Sequence, residues 1–454
     1  MSLLKKIIYN LPEVAAPTQR RLSFKQKLKW TILILVLYFI LGAIPVFGVV
    51  SERITYLEQL SILFGASFGS IISLGIGPIV TASIVLQLLN GSGLWKFDLT
   101  TQEGKKMFQG TQKLMTYLFI IIESFIYVKM GGLTPRGDIP GAFGIVMFQL
   151  ILGGLIIVFM DEICQKWGFG SGVSLFIAAG ISKVVFLGLF NPFNADNQFA
   201  LNQALANPVG KVWAFILNLN KNFVEALSAF AGVVATVGVF AIAVYMQAMK
   251  VEIPLSFGRI RGHGVRWPLH FLYTSNIPVI LTAALIANIR LIGSLLNKGR
   301  PPTSGFFALI QNVNIVDHLI RGGSVTGFIV VQFVVYMLIF MLGSMMFSIF
   351  WVQSAGMDAR SQARQMMASG LQIPGFRKDE RILERLLKRY ITPLTVMGGL
   401  SIGFLAALAD ISGAIGSGTG ILLTVMILYR LYEDIAQQHM MDMNPMMRKF
   451  MGGE

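Results

Sequence analysis

The sequence predicts an all-α polytopic membrane protein, and three features predict it. Ten apolar stretches are each long enough to cross a bilayer core, which takes about 20 residues of helix. Hydrophobic residues make up 54 % of the 454-residue chain and charged residues only 13 %, a balance that excludes a soluble enzyme of similar length. The cations are also unevenly distributed. With the N-terminus inside, the inner segments hold 26 of the 37 Lys and Arg residues against 14 Asp and Glu, a net of +12, whereas the outer segments are net +2. The positive-inside rule therefore predicts a cell-membrane protein with both termini in the cytoplasm.

In chain order the spans are 30–46, 71–89, 108–128, 141–160, 172–190, 226–249, 268–289, 325–352, 391–409 and 411–429. Eight carry no formal charge, while the third contains Lys113 and Glu123 and the fifth Lys183. Residues 1–29 are polar and basic, so the first span is expected to serve as its own targeting signal. Cys164 stands alone and permits no internal disulfide. His263, His270, His318 and His439 are scattered, and neither a metal site nor a cofactor is expected.

Residues 54–68 have helical periodicity but are too short and too polar to cross. Ile54, Leu57, Leu60, Ile62, Leu63 and Phe64 form a rough apolar stripe, and Gly65, Gly69, Gly75, Gly77 and Pro78 punctuate the chain after it. A broken helix at membrane depth needs its open backbone buried in protein or lining a watery cavity, so this pattern points to a cavity on the outer side. An amphipathic helix lying on the outer leaflet has the same composition. The pairs Gly65/Gly69, Gly399/Gly403 and Gly416/Gly420 have the spacing of close helix packing. The run Gly416-Ser-Gly-Thr-Gly420 is not a phosphate loop, since no Lys follows it at the required spacing.

Two inner loops are long and basic. Residues 250–267 hold Arg259, Arg261, His263 and Arg266 among glycines, flanked by Pro254 and Pro268, which predicts an irregular finger. Within 353–390, Ile382, Leu383, Leu386, Leu387 and Tyr390 share a face of a short helix whose other faces carry Arg381, Arg385, Lys388 and Arg389. Such a helix suits the headgroup layer, where it would orient the ninth span. It equally suits a docking surface for a structured RNA held by its phosphates, since aromatic residues for base stacking are sparse.

A resemblance rests on Leu74-Gly-Ile-Gly-Pro-Ile-Val-Thr-Ala82, Asp161-Glu-Ile-Cys164, Gly170-Ser-Gly-Val-Ser-Leu-Phe-Ile177, Val251-Glu-Ile-Pro-Leu255, Ser275-Asn-Ile-Pro-Val-Ile280 and Gly418-Thr-Gly-Ile-Leu-Leu-Thr424. With Gly375-Phe-Arg-Lys378 and Arg389-Tyr-Ile-Thr-Pro-Leu-Thr395, these resemble the SecY family, the large subunit of the protein-conducting channel, in its archaeal branch and over essentially the whole length. The resemblance implies two inversely related five-helix halves, 30–190 and 226–429, around an hourglass pore, joined by an external connection over 191–225 and followed by a cytoplasmic tail over 430–454. It implies a short re-entrant plug helix over 54–68. It maps an aliphatic pore ring onto Ile76, Val80, Val173, Ile177, Ile280 and Leu423, with Val173 where the family leads one to expect isoleucine. A narrow aliphatic ring offers water and ions no hydrogen bonds, so it dewets when empty and deforms around a passing peptide.

The same resemblance puts a lateral gate between the second and third spans and the seventh and eighth, with a polar cluster at Thr81, Glu123 and Asn276. From composition alone, Glu123 also fits a plain helix-packing carboxyl. By resemblance Arg259, Arg261 and Arg377 dock a ribosome through rRNA phosphates. The implied partners are small single-span SecE/gamma-type and beta-type subunits, signal peptides, nascent chains and membrane lipids. The implied function is a pore passing unfolded polypeptides and releasing helices into lipid, and no enzyme. An ion-coupled secondary transporter also uses broken helices, but Glu123 is nearly the only carboxylate the sequence places inside a span. An intramembrane protease would need a Ser/His or paired Asp arrangement on facing spans, which the chain lacks.

Overall fold

The computed structural model describes residues 8, 10–18, 22–50, 67–91, 94–95, 97, 101–129, 132–194, 199, 208–257, 264–274, 277–297, 305–311, 314–324, 326–368, 371–372, 379–416 and 418–443. Before the first strand come α1 (Phe24–Ala43), α2 (Gly77–Gly91), α3 (Gln102–Lys129), α4 (Ala142–Trp167), α5 (Gly172–Phe190), α6 (Lys211–Asn218) and α7 (Phe223–Ala248). A hairpin of β1 (Lys250–Phe257) and β2 (Gly264–His270) leads into α8 (Ile277–Leu296), α9 (Phe306–Leu309), α10 (Ile315–Ile320) and α11 (Gly327–Ser354). The chain ends in α12 (Ala359–Ala368), β3 (Leu371–Gln372), α13 (Glu380–Ile411) and α14 (Gly418–Met443).

Among the described residues, eight helices are long and apolar enough to cross a membrane: α1, α3, α4, α5, α7, α8, α11 and α13. The other two expected spans are α2, of only 15 residues, and α14, which carries Arg430, Glu433 and Asp434 from its midpoint on. Large apolar side chains such as Phe148, Val237 and Leu342 stand exposed on the spanning helices. Lipid tails are as apolar as these side chains, so the outer faces need no protein cover, and inter-helix packing must come from shape and small residues. At Gly403 of α13 an added Cβ would lie 2.5 Å from the Phe340 carbonyl oxygen on α11, and at Gly399 it would lie 2.9 Å from Met345 Cα. That close approach accounts for the predicted Gly399/Gly403 spacing.

Helix starts are set locally. Ser23 Oγ accepts from Gln26 N and Gln26 Oε1 accepts from Ser23 N, a capping box that opens α1. The second span, expected from residue 71, becomes helical only at Gly77. Residues 71–76 are turns, with Gly75 at φ 52°, and Ile71 N–H bonds back to Ile44 O.

The 250–267 loop differs from the irregular finger expected for it. Its described residues form a regular antiparallel ladder from Lys250↔His270 through Ile253↔Trp267 to Ser256↔Gly264. Pro268 lies in β2 and not in the seventh span. Among the described residues β3 pairs with β1 at Ser256 and Phe257, and Pro254 has no ladder partner on that edge of β1. The basic helix expected near 379–390 is the first third of α13, continuous through Pro393 and capped by Asp379, whose Oδ1 accepts from Arg381 N at 2.9 Å. Leu383, Leu387 and Ile391 pack on Ile253 and Leu269 of the hairpin and on Ala363 and Met366 of α12. Leu383 and Leu387 of this apolar face are therefore buried in protein and Leu386 is half-buried, while Ile382 and Tyr390 stay exposed with Arg381, Arg385, Lys388 and Arg389.

At the same end of the bundle the N-terminal segment is strapped across α3 and α4. Lys113 pairs with Glu162 and donates to Pro12 O at 2.5 Å. Glu162 Oε2 accepts from Val14 N, Lys166 Nζ reaches Glu13 Oε1 at 2.6 Å, and Trp167 Nε1 donates to Ala15 O. The Lys166 hydrogen bond holds the Glu13 carboxyl below its ordinary range.

Candidate functional site

Four helices start near one another, and the six expected ring residues lie at or within two turns of their starts. Ile76 immediately precedes α2 and Val80 lies in its first turn; Val173 and Ile177 open α5, Ile280 opens α8, and Leu423 is the sixth residue of α14. All belong to one hydrophobic core, with Ile76 and Ile177 wholly buried, Leu423 1 % exposed and Val173 partly buried at its edge. Side chains without hydrogen-bonding groups give water no foothold, so a waist built from them stays dry when closed.

A cavity of about 700 Å³ opens from this waist toward the end of the bundle that carries the N-terminus. Val80, Val173 and Ile280 form part of its apolar lining, and Gln87, Gln112, Gln165, Lys105, Arg430 and Asp434 supply polar groups. Gln87 donates to Ser83 Oγ at 3.0 Å, and its buried Oε1 accepts nothing among the described residues. The wall thus passes from dry to wettable over a short distance.

α2 packs on α3 and also against α8 and α11, making a seam between the two parts of the chain. Asn288 Nδ2 of α8 donates to Thr81 Oγ1 of α2 at 3.2 Å. The Glu123 carboxyl of α3 lies beside the Thr81 hydroxyl. With Asn288 donating to its lone pair, that hydroxyl keeps its one proton to offer a neighbour. A chain of three polar groups therefore ties α8 to α2 and α2 to α3.

The sequence matches the SecY family over residues 70–432 and the plug domain of Sec61p over residues 36–69. The chain belongs to the SecY family. It is 42 % identical to the protein translocase subunit SecY of Methanothermobacter thermautotrophicus, with 97 % of each chain covered. It is 39 % identical to that of Methanocaldococcus jannaschii, covering 99 % of this chain and 100 % of the other. Among solved structures it is similar to a protein-conducting channel, with a TM-score of 0.80 and 38 % identity over 97 % of this chain and 98 % of that one. It is likewise similar to Sec61 in the canine ribosome-channel complex from the endoplasmic reticulum, with a TM-score of 0.78 and 37 % identity over the same shares.

Within this SecY-family chain, all six expected ring residues fall in one apolar cluster, Val173 at its edge, and Glu123 lies beside Thr81. Asn276 lies outside the described residues, as do Arg259, Arg261, Arg377 and plug residues 54–66. Of the expected plug, Ser67 and Phe68 are described, and the Phe68 ring packs 5.6 Å from Tyr127. Sequence reasoning missed Asn288. Its signal was available, since an amide between Ile286 and Ile292 in a lipid-spanning helix needs a partner. It also assigned no role to Asp161 and Asp410, which are buried carboxylates 8 % and 6 % exposed at helix junctions beside the waist.

Proposed function

We propose that this chain is the central pore-forming subunit of a protein translocation channel, passing unfolded secretory polypeptides across the cell membrane and releasing transmembrane helices sideways into lipid. The observation that supports this reading is that the six aliphatic side chains, from four helix starts, fall in one buried apolar cluster, and that Val80, Val173 and Ile280 among them line a cavity that also carries polar groups. An extended polypeptide has no fixed side chain to recognise, so its conduit needs a wettable entrance and a deformable, non-bonding constriction. The six aliphatics form the constriction. The cavity is the cytoplasmic entrance, and both termini lie on that side.

The seam is the lateral gate, with α2 and α3 on one side and α8 and α11 on the other. Thr81, Glu123 and Asn288 hold it shut until the apolar helix of a signal peptide replaces their contacts. Residues 54–68 plug the outer funnel. Small single-span SecE/gamma-type and beta-type subunits complete the assembly. A ribosome docks on the hairpin and on the loop before α13, with Arg259, Arg261 and Arg377 on rRNA phosphates; similarity to Sec61 from a ribosome-channel complex supports that partner. The transport step breaks no covalent bond and uses no cofactor.

The test is a stalled nascent chain carrying a photo-crosslinker. Crosslinks should concentrate at Ile76, Val80, Val173, Ile177, Ile280 and Leu423 when the probe is midway across. Crosslinks spread evenly over the lipid-facing helices would refute the waist.

A further inference from the structure

Two stretches on either side of the waist repeat a pattern. Gly170-Ser-Gly-Val-Ser-Leu-Phe-Ile177 opens α5 and Gly416-Ser-Gly-Thr-Gly-Ile-Leu-Leu423 opens α14. In each the first glycine is left-handed, at φ 69° for Gly170 and 87° for Gly416, a conformation only glycine adopts readily. In each the third residue begins the helix and the eighth is a waist residue.

An aspartate from the preceding span meets each start. Asp161, near the end of α4, accepts from Val173 N at 2.9 Å through Oδ1. Asp410, at the end of α13, accepts from Thr419 N at 2.7 Å through Oδ1. Val173 and Thr419 are both the fourth residue of the pattern, one helical turn ahead of Ile177 and Leu423.

The other lone pairs are occupied as well. Asp161 accepts from Gln165 Nε2 at 2.7 Å and from Ser171 Oγ at 3.4 Å. Asp410 accepts from the Thr419 hydroxyl and from Tyr336 OH, the latter at 2.5 Å, and Arg290 stacks 5.1 Å over the Tyr336 ring. A buried carboxylate is stable only when bonded in this way, and the positive end of a helix dipole favours it further. At Gly172 an added Cβ would fall 2.6 Å from Asp161 Cα, so α4 and α5 meet backbone to backbone at this cap.

We propose that Asp161 and Asp410 are paired positioning residues that set the height and rotation of the waist, one carboxylate acting on Ile177 and the other on Leu423. A slip of α5 or α14 by one residue would move its waist side chain about 1.5 Å along the axis and about 100° around it, enough to take it off the ring. A cap one turn away leaves little chain to absorb such a slip. The other two waist helices begin differently. Pro78 and Pro278 occupy the second position of α2 and α8, two residues before Val80 and Ile280, and proline brings no N–H to a cap. α2 and α8 form the seam, so the clamped starts lie on the helices that the lateral gate does not use. This inference rests on the six aliphatics being the seal.

The experiment uses the channel complex reconstituted in proteoliposomes, with cysteine introduced at Ile177 or Leu423 and a charged maleimide as the probe. Asp161→Ala should speed labelling at position 177 roughly tenfold, the factor that loss of a cap ordinarily produces, and leave position 423 unchanged. Asp410→Ala should do the reverse. Asp161→Asn and Asp410→Asn keep an acceptor oxygen and should restore most of the protection, and they serve as the comparison where alanine variants do not assemble. Equal effects of each aspartate on both positions would reduce these residues to general stability and overturn the proposal, as would no effect on either. Failure of the seal is read separately: if serine at Ile76, Val80 and Ile280 leaves resting ion leak unchanged, the waist reading falls while the labelling pattern still decides the caps.

Discussion

Thr81 of α2 accepts a hydrogen bond from Asn288 of α8 at 3.2 Å across the seam, with the Glu123 carboxyl of α3 beside the same hydroxyl. In the proposed gate, parting of the seam would let Asn288 trade this bond for water, which would keep opening inexpensive. Leucine at 288 would pack in the closed seam and lie against water in the open one, an imbalance of about 1.5 kcal/mol, or roughly tenfold toward closed. Asn288→Leu should therefore raise the hydrophobicity a signal sequence needs. Insertion of a graded signal series, scored in membranes, checks it, and a threshold at or below the wild-type value would remove Asn288 from the gate.

Ile76 just before α2, Val80 in α2 and Ile280 in α8 share one buried apolar cluster and form half of the proposed ring. Replacing all three with serine puts hydroxyls where none stands, so the constriction should hydrate and conduct at rest. Single-channel recording without substrate should show a resting ion current absent from the wild type. Unchanged resistance would mean that the seal lies elsewhere, for example in the plug.

The spans were legible in the sequence from hydropathy alone, and the proposed ring was not. Lipid imposes one requirement over some twenty residues, so hydropathy finds a span such as α4 without help. No single waist residue differs from an ordinary lipid-span residue, and it took the resemblance to place Ile177 or Leu423 on the ring. The hairpin was missed because Pro254, Pro268 and the glycines read as breakers. The alternation Val251, Ile253, Leu255 against Val265, Trp267, Leu269 was the strand signal, and it was there to read. Asn288 was missed because the motif Ser275-Asn276 drew attention to the start of α8. The partner of Thr81 is chosen by axial rise, and Asn288 lies about 16 Å along α8 from Ile277. The two aspartates escaped because each acts on a helix it does not belong to.

Gly403 and Gly238 make a matched pair. A Cβ at Gly403 would meet the Phe340 carbonyl oxygen at 2.5 Å and Met341 Cα at 2.8 Å, backbone atoms that cannot rotate away, whereas nothing lies within 4 Å of a Cβ at Gly238. Gly403→Val should part α11 from α13 and destabilise the protein by at least about 1–3 kcal/mol. Gly238→Val should leave thermal unfolding in mild detergent near the wild-type midpoint. Equal midpoints for the two variants would contradict the packing between α11 and α13.

Reversing charge at Arg259 and Arg377 to Glu tests docking. Contacts with phosphate release counterions, so the variant should bind ribosomes more weakly and its log-affinity should fall less steeply with log salt, by roughly one unit of slope per lost contact. Sedimentation binding at several salt concentrations measures both. Weaker binding with an unchanged slope would mean that the two arginines act on the shape of the loops and not on phosphates.

The strap across α3 and α4 should respond to acid, and the sign follows from Glu13. Its carboxyl is held below the ordinary value of about 4.3, chiefly by the hydrogen bond from Lys166, with Lys113 and Lys106 adding attraction. A depressed value means that the contribution is complete above about pH 4.3 and disappears as the pH falls through the lower folded value. Glu13 is largely exposed, so salt should weaken the same contact. Trp167, whose indole donates to Ala15 O at 3.0 Å, reports the strap directly. The difference in fluorescence between the wild type and Trp167→Phe should be flat from pH 7 to about pH 5 and change below about pH 4. In Glu13→Gln that change should be absent, because no proton is left to bind at position 13. A transition of full size in Glu13→Gln would assign the acid response to a group other than Glu13.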